Sequence, residues 1–396
     1  MTFNQKDIES AIDKLLPKIT EIRQYLHTKP ELSLNEFKTS ELVREQLSLL
    51  DIEVFPPFLS TDVVALLNGG KSERNVTLRA DMDALPITEK SSIPYRSRNK
   101  GVMHACGHDG HTAIMIGAAI ILEKFREQLN GSVRFVFQPG EEIVAAGKDL
   151  IEKGILNSPR PIAVLALHGW PGYPVGTICS KPGNLMAAAD FFKITLNGKG
   201  GHGANSDQKN NPILIGSKIV GRLSSIPSVK FNPSDTVVIS IGKFVGGTNP
   251  NIIPNEVIIE GSTRYFGKSV GQRIPGLFEE VLKTECSNSE VDYELNYNRP
   301  YISTVNNSGI VANCKSYVKK FIGKSAWIDI QEPVMSSEDF SFYIDENPGG
   351  MFFLGMGEDS PDLHASSYNF NDKALKRGIL FFVLSTIELL SCNTGK

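Results

Sequence analysis

The spacing of apolar and polar positions divides the chain into stretches of different texture. Over residues 5–50 apolar side chains recur at helical spacing among charged ones, with a break at Lys29-Pro30, so two helices are predicted. Short β-rich runs then alternate with helical ones. A strand is predicted at 76–80, a helix at 113–129, a strand at 133–138, a helical stretch around 149–153 and an apolar strand at 162–168. That alternation predicts an α/β layer built on a largely parallel sheet.

From Met186 the pattern changes. A strand at 191–196 runs into Gly198-Lys199-Gly200-Gly201, followed by a helix at 212–225, strands at 236–243 and 256–264, a helix at 275–285 and a strand at 291–297. This β-α-β-β-α-β order describes one compact α+β unit. After Pro300 the first texture returns, with a helix at 309–321, a strand at 351–354 and an apolar C-terminal helix at 378–390. The expected organisation is a discontinuous domain of residues 1–186 and 299–396, with residues 187–298 inserted into it.

Length agrees with this division, because 396 residues exceed what one hydrophobic core usually organises. A net charge of −3 with no basic block gives no footprint for nucleic acid. The start, MTFNQKDIES, is polar and unlike a secretory signal, and residues 378–390 are too few to cross a bilayer. Five scattered cysteines argue against a disulfide framework and for a reducing, cytoplasmic setting.

The chemistry concentrates where the predicted strands end, the usual place for sites on open α/β sheets. Asp81 and Asp83 follow the first strand, Glu141 and Glu142 the second, and His168 closes the third; His364 comes soon after the strand at 351–354. Between them lies His104-Ala105-Cys106-Gly107-His108-Asp109-Gly110-His111, which holds three of the seven histidines. Taken singly each has an ordinary reading. His168 can be a hydrogen-bonded structural histidine, Glu141-Glu142 a solvated loop, Asp81 a turn residue and Cys106 a small buried hydrophobe. Their joint occurrence at successive strand ends points instead to a metal site, since thiolate, imidazole and carboxylate are the ligands of divalent transition ions. Two adjacent glutamates let one bind metal while the other carries protons.

With these residues in view the chain resembles the metal-dependent amidohydrolases of the aminoacylase and carboxypeptidase type. The nearest branch contains hippurate hydrolases, indole-acetyl-amino-acid hydrolases and N-acyl-amino-acid deacylases. The resemblance rests on YLHTKPELS (25–33), LRADMDALPITE (78–89), MHACGHDGHTA (103–113), QPGEE (138–142), GKGGHGA (198–204), GGTNPNIIP (246–254), SSEDFSFY (336–343) and Leu363-His364. It implies a zinc-peptidase-like fold, a mixed and largely parallel sheet between helices, with the inserted α+β unit acting as lid and dimerisation domain. It further implies two divalent ions per subunit (manganese, zinc, nickel or cobalt) held by Cys106, His108, Glu142, His168 and His364. Glu141 matches the family's general base, and Asp81 a carboxylate that orients a ligand imidazole. Asp83, His104, Asp109 and His111 match supporting positions, and His27 is expected to be structural. His202 matches a histidine that meets the substrate carbonyl from the partner subunit; Asn251 and Arg264 match polar positions near the substrate. The implied reaction is hydrolysis of N-acyl amino acids, with dipeptidase or carboxypeptidase action as the nearest rival and a non-catalytic binding protein as the more distant one.

The chain departs from the family pattern at four places. Ser206-Asp207 stands where a Pro-His pair is usual, and Ile143-Val144-Ala145-Ala146 where glycines are usual. Pro250 precedes Asn251, and Ala365-Ser366-Ser367 follows His364 in place of a proline. These changes bear on the substrate pocket and leave every proposed ligand in place.

Overall fold

A computed structural model describes residues 4–391 apart from Lys71, Ser206, Asp207 and Pro233. The Ser206-Asp207 departure and Cys392 therefore lie outside the described residues. The chain forms two compact units. The larger comprises Met1–Leu185, Val305–Glu332 and Asp339–Lys396; the smaller comprises Met186–Thr304 and Pro333–Glu338. The return segment Pro333–Glu338 was not separable by texture. It joins the smaller unit through backbone bonds, because Ala187 N–H donates to the carbonyls of Val334 and Ser336.

The larger unit is an α/β layer around an eight-stranded sheet. In spatial order its strands are Glu53–Val54, Val63–Asn68, Ser132–Gln138, Asn75–Asp81, Ala163–Trp170, Gly349–Gly355, Ile178–Ser180 and Trp327–Asp329. The four central strands from Ser132–Gln138 to Gly349–Gly355 run parallel, and antiparallel pairings bring in Val63–Asn68 and Ile178–Ser180. Alternation sets the faces of the inner strands. Val76, Leu78 and Ala80, with Val133, Phe135 and Phe137, join the apolar core that the helices Gln5–Thr28, His108–Lys124 and Leu375–Ser391 also enter. The alternate positions Thr77, Arg79, Asp81, Arg134 and Gln138 are also buried, and they are hydrogen-bonded to one another or to neighbouring polar groups. A sheet with one apolar and one polar buried face can carry a charged network to its strand ends.

Two details differ from the expectation. The helix predicted at 113–129 begins at His108 and ends at Lys124. Its first turn is polar, so hydrophobic periodicity does not reveal it. The strand Val63–Asn68 was missed because its continuous VVALLN run shows no strand alternation. Among the described residues no helix is long and apolar enough to cross a membrane.

The smaller unit is a four-stranded antiparallel sheet in the order Val237–Gly246, Glu256–Tyr265, Ala188–Asn197, Asp292–Tyr301. Phe192, Ile194 and Leu196 point into a core shared with Ile219, Leu223, Val257, Ile259, Ile274 and Phe278, which draws on the helices Pro212–Lys230 and Lys268–Cys286. Cys106, Cys179, Cys286 and Cys314 are free thiols.

Candidate metal centre

Two tight turns deliver the donors of the larger unit. Gly107, at φ 86°, precedes the helix His108–Lys124, and a Cβ there would approach the Tyr368 hydroxyl and the Phe370 ring to about 3 Å. Glycine is thus required both for the left-handed backbone and for space. It places Cys106 just before the helix and His108 in its first turn. Gly140, at φ 64°, does the same for the single-turn helix Glu141–Val144. Both turns lie at the carboxyl ends of the parallel strands, as does His168 within Ala163–Trp170.

A hydrogen-bonded frame fixes which atoms remain available. Asp83 Oδ1 accepts from His108 Nδ1 (3.2 Å) and from the Glu141 amide (3.1 Å). Its Oδ2 accepts from the Glu142 amide (3.1 Å) and the Ser33 hydroxyl (2.6 Å). One carboxylate therefore ties the glutamate turn to the imidazole of His108 and leaves His108 Nε2 as the free ring atom. Asp81 Oδ1 accepts from His111 Nδ1 (2.6 Å), while the Gly169 amide donates to His111 Nε2 (2.7 Å). Both nitrogens of His111 are consumed. His168 Nδ1 donates to the Gly169 carbonyl (2.8 Å), which turns its Nε2 lone pair toward Cys106 Sγ at 3.4 Å.

Behind Asp81 stands Arg79, which donates to Asp81 Oδ2 (2.6 Å), Gln138 Oε1 (2.9 Å) and Asp339 Oδ1 (2.7 Å). Asp339 Oδ2 also accepts from Gln138 Nε2 and the Gly147 amide. Sequence reasoning assigned no role to Arg79, Gln138 or Asp339, although each lies within a motif that carried the family resemblance. On the far side of the same helix turn, Asp109 pairs with His27 Nδ1 (2.8 Å) and Arg23. Neither nitrogen of buried His104 has a partner; burial lowers it to about 4, so it is neutral.

Several donor atoms remain. The thiol of Cys106 with the imidazoles of His108 and His168, Cys106 with Glu142 and His364, and His108 with Glu141 and Glu142 form groups whose ligand atoms lie within 4.8 Å of one another. His108 Nε2 and Glu142 Oε1 are buried without a hydrogen-bond partner, 3.8 Å apart. Orphaned buried polar atoms are costly, and here both aim at the same small volume. His364 Nε2 lies 3.3 Å from Glu142 Oε1. The His364 backbone is left-handed, at φ 66°, and its amide donates to the Ala105 carbonyl beside Cys106. A non-glycine residue held in that region is strained, and such strain concentrates at functional sites.

The electrostatics favour a positive charge at this point. Burial alone would lower the pKa of His108, but Asp81, Asp83 and Glu142 outweigh it and raise the group to about 10. The Cys106 thiol is pushed well up by burial and by Glu142, Glu141 and Asp81. Burial and the neighbouring His111 keep His168 neutral, well below its ordinary value. A cation among these groups would relieve both the crowded carboxylates and the thiol, so the residues present fit a divalent metal.

In the smaller unit, His202 is exposed on the short strand Gly201–His202, paired with Ile252–Ile253. The Ala204 amide donates to its Nδ1 (3.2 Å), which leaves the proton on Nε2. Asn251, also exposed, accepts through its carbonyl from the Gly203 amide (2.8 Å), so the two residues are neighbours within this unit. Arg264 donates to the Met335 carbonyl (2.9 Å) and the Ser337 hydroxyl (3.3 Å), and is half-buried holding the return segment.

Residues 77–386 match the peptidase family M20/M25/M40. The chain belongs to this family. N-acetyl-L-cysteine deacetylase of Bacillus subtilis is 34% identical over 393 residues, covering 99% of this chain and 93% of that one. Thermostable carboxypeptidase 2 of Saccharolobus solfataricus is 35% identical over 389 residues, covering 96% and 98%. Among solved structures, the Bacillus subtilis YXEP protein, described as a dinuclear metal-binding peptidase of the M20 family, superposes with a TM-score of 0.83. It is 30% identical and is covered to 99%, against 96% of this chain. This M20 chain is accordingly an enzyme that hydrolyses amide bonds, with the mixed α/β fold of that family.

Proposed function

We propose that the protein removes the acyl group from N-acyl amino acids, using two divalent ions held by Cys106, His108, Glu142, His168 and His364. The observation that carries this reading is the convergence of a buried thiol, two oriented imidazoles and an unpartnered carboxylate oxygen beside Glu141. Divalent ions at such a site make water acidic enough to attack near neutral pH and polarise a carbonyl. The thiol donor suits zinc, and manganese, nickel or cobalt suit the nitrogen and oxygen donors.

The remaining work belongs to the chain's own residues. Glu141 receives the proton of the attacking water on a carboxylate oxygen and passes it to the leaving amine nitrogen. Its backbone amide is fixed by Asp83, so the base and the His108 imidazole keep a constant relation. Asp81 holds His111 in place, and His111 in turn braces the Gly169 amide beside His168. His202, with its proton on Nε2, is proposed to donate to the carbonyl oxygen as negative charge develops there. Asn251 and Arg264 are proposed to contact the substrate, and the smaller unit to act as lid and as the pairing surface of a homodimer. A relative named as a deacetylase supports the acyl reading. A relative named as a carboxypeptidase keeps peptide cleavage as the alternative.

The test is to strip the enzyme with chelator, restore single metals, and assay acetyl-amino acids, benzoyl-amino acids and dipeptides. Near two ions per chain and a preference for the acylated compounds are expected. Glu141→Gln should keep its metal and lose about 100- to 10,000-fold in kcat, the usual worth of a general base. Near-normal turnover in that variant removes the base assignment, and a preference for dipeptides moves the enzyme to the alternative.

A further inference from the structure

The single-turn helix that carries Glu141 and Glu142 ends in two apolar residues with solvent-facing side chains. Ile143 is 57% exposed and Val144 44% exposed; Leu34, from a distant part of the chain, is 38% exposed. Isolated exposed aliphatics are ordinary, but Leu34 and Val144 are brought to the same glycine, and Ile143 adjoins Val144 in the chain. A Cβ on Gly140 would meet Val144 Cγ2 at 2.7 Å and Leu34 Cδ2 at 3.2 Å, so both side chains flank the same glycine. We propose that Leu34, Ile143 and Val144 form an apolar lip beside the Glu141–Glu142 turn, which selects substrates bearing an apolar group next to the scissile amide. The inference rests on the amide-hydrolase reading above and deepens it.

The lip is built at some cost. The carboxylate of Glu36, fully buried, accepts through one oxygen from both the Leu34 amide and the Gly140 amide (2.9 Å each), clamping the two segments together. Its other oxygen accepts from the Thr61 hydroxyl. Burial pushes this carboxyl up to about 7, against the opposing hydrogen bonds. Ser33 adds a second tie through Asp83, which also receives the Glu141 and Glu142 amides. The backbone is strained on both sides, with Leu34 at φ 63° and Ala145 at φ 52°, a region that non-glycine residues seldom occupy. Ala145 closes the turn after Val144 and so sets where the lip ends. Two strained positions and a shared buried carboxylate fix Leu34 beside Gly140, and Ile143 and Val144 follow the proposed base on the same single-turn helix. None of the three carries a charge that could receive the free carboxylate of an amino acid. What rests there is therefore an uncharged apolar portion of the substrate, an acyl chain or an amino-acid side chain.

Two substrate series separate these sources. N-acyl alanines with acetyl, butanoyl and hexanoyl groups vary the acyl half, and N-acetyl glycine, alanine, leucine and phenylalanine vary the other. They are assayed on the metal-loaded native enzyme, on an Ile143→Ser/Val144→Ser double variant and on Leu34→Asn, asparagine being tolerant of the left-handed backbone. All three positions are exposed, so the variants should fold, and thermal unfolding checks that they do. In the native enzyme kcat/KM should rise about two- to fourfold per added methylene in one series, the range set by partial to full burial of that group. The variants should flatten that rise. A response in the acyl series assigns the lip to the acyl half, and a response in the other assigns it to the amino-acid side chain. Equal slopes in native and variant enzymes across both series overturn the lip while leaving amide hydrolysis standing. A metal-loaded native enzyme that cleaves none of these compounds overturns the underlying reading and the lip with it.

Discussion

Two buried carboxylates, one in each unit, have opposite surroundings. Asp190 of the smaller unit accepts from the Tyr265 and Tyr297 hydroxyls (3.0 Å each) and faces Arg299 at 3.4 Å. Each of its oxygens is used, and burial, opposed by Arg299 and the tyrosines, still leaves its pKa raised. Glu142 of the larger unit has a buried Oε1 with no hydrogen-bond partner, set among His108, His364 and the Cys106 thiol. The first arrangement is complete within the protein. The second leaves an acceptor that a cation would satisfy, as in the proposed metal site. The contrast recurs between two histidines of the larger unit. His27 is closed by Asp109 and Glu89, whereas His108 has one nitrogen fixed by Asp83 and the other without a partner. Closed groups of this kind are satisfied within the protein, whereas Glu142 and His108 keep open atoms that face one another across 3.8 Å.

The largest expected effect tests the closed histidine. Burial would lower the pKa of His27, but Asp109 and Glu89 outweigh it and raise the group to about 9. A folded-state value above the unfolded one of about 6.5 means that the stabilisation is fully present below pH 6.5. It is lost as pH rises through about 9. Urea unfolding at pH 6 and pH 9.5 should show native protein losing on the order of 3 kcal/mol relative to His27→Gln across that window. Parallel pH curves for the two proteins would break the contrast between closed and open histidines.

Next in size is Asp190→Asn, which weakens hydrogen bonds to a charged acceptor and should cost about 2 kcal/mol of stability. Metal content should stay at the native level, since the residue is complete within its own unit. A variant that loses metal along with stability would show that the closed carboxylate also serves the centre. The smallest effect is expected at His364, whose left-handed backbone is strained. His364→Gly relieves strain worth roughly 1 kcal/mol, offset in part by the greater freedom of glycine in the unfolded chain. The metal-free variant should be at least nearly as stable as the native protein while binding less metal. A clear loss of stability without metal would mean that the side chain is a structural element and not an open ligand.

The alternating strands and helices of the larger unit, and the β-α-β-β-α-β order of the smaller, were legible because hydrophobic period reports the face each segment buries. The elements that escaped have physical reasons. The first turn of His108–Lys124 is polar, Val63–Asn68 is apolar throughout, and Pro333–Glu338 belongs to the smaller unit through backbone bonds that leave no compositional trace. Of the candidate site, the sequence offered polar residues at strand ends and the Cys106-His108 run, the family resemblance supplied the ligand set, and the structure brings these residues into groups that could hold an ion. Arg79, Gln138 and Asp339 went without a role because their polar atoms are joined to one another by hydrogen bonds, over a separation of 201 positions between Gln138 and Asp339.

The sequence by itself determined the fold class, through local hydrophobic spacing, and the family, through motifs that resemble it, and it offered a set of candidate metal ligands. Only the tertiary structure decided which of those atoms are free. His108 and His111 stand three residues apart on one helix and look alike in sequence. Asp81 and the Gly169 amide close one of them, while Asp83 orients the other and leaves its far nitrogen open. The same holds beside the glutamate turn, where Glu36 accepts from the Leu34 and Gly140 amides and so ties together segments distant in the chain. Hydrogen-bond saturation depends on neighbours from distant parts of the chain, and no local pattern records it.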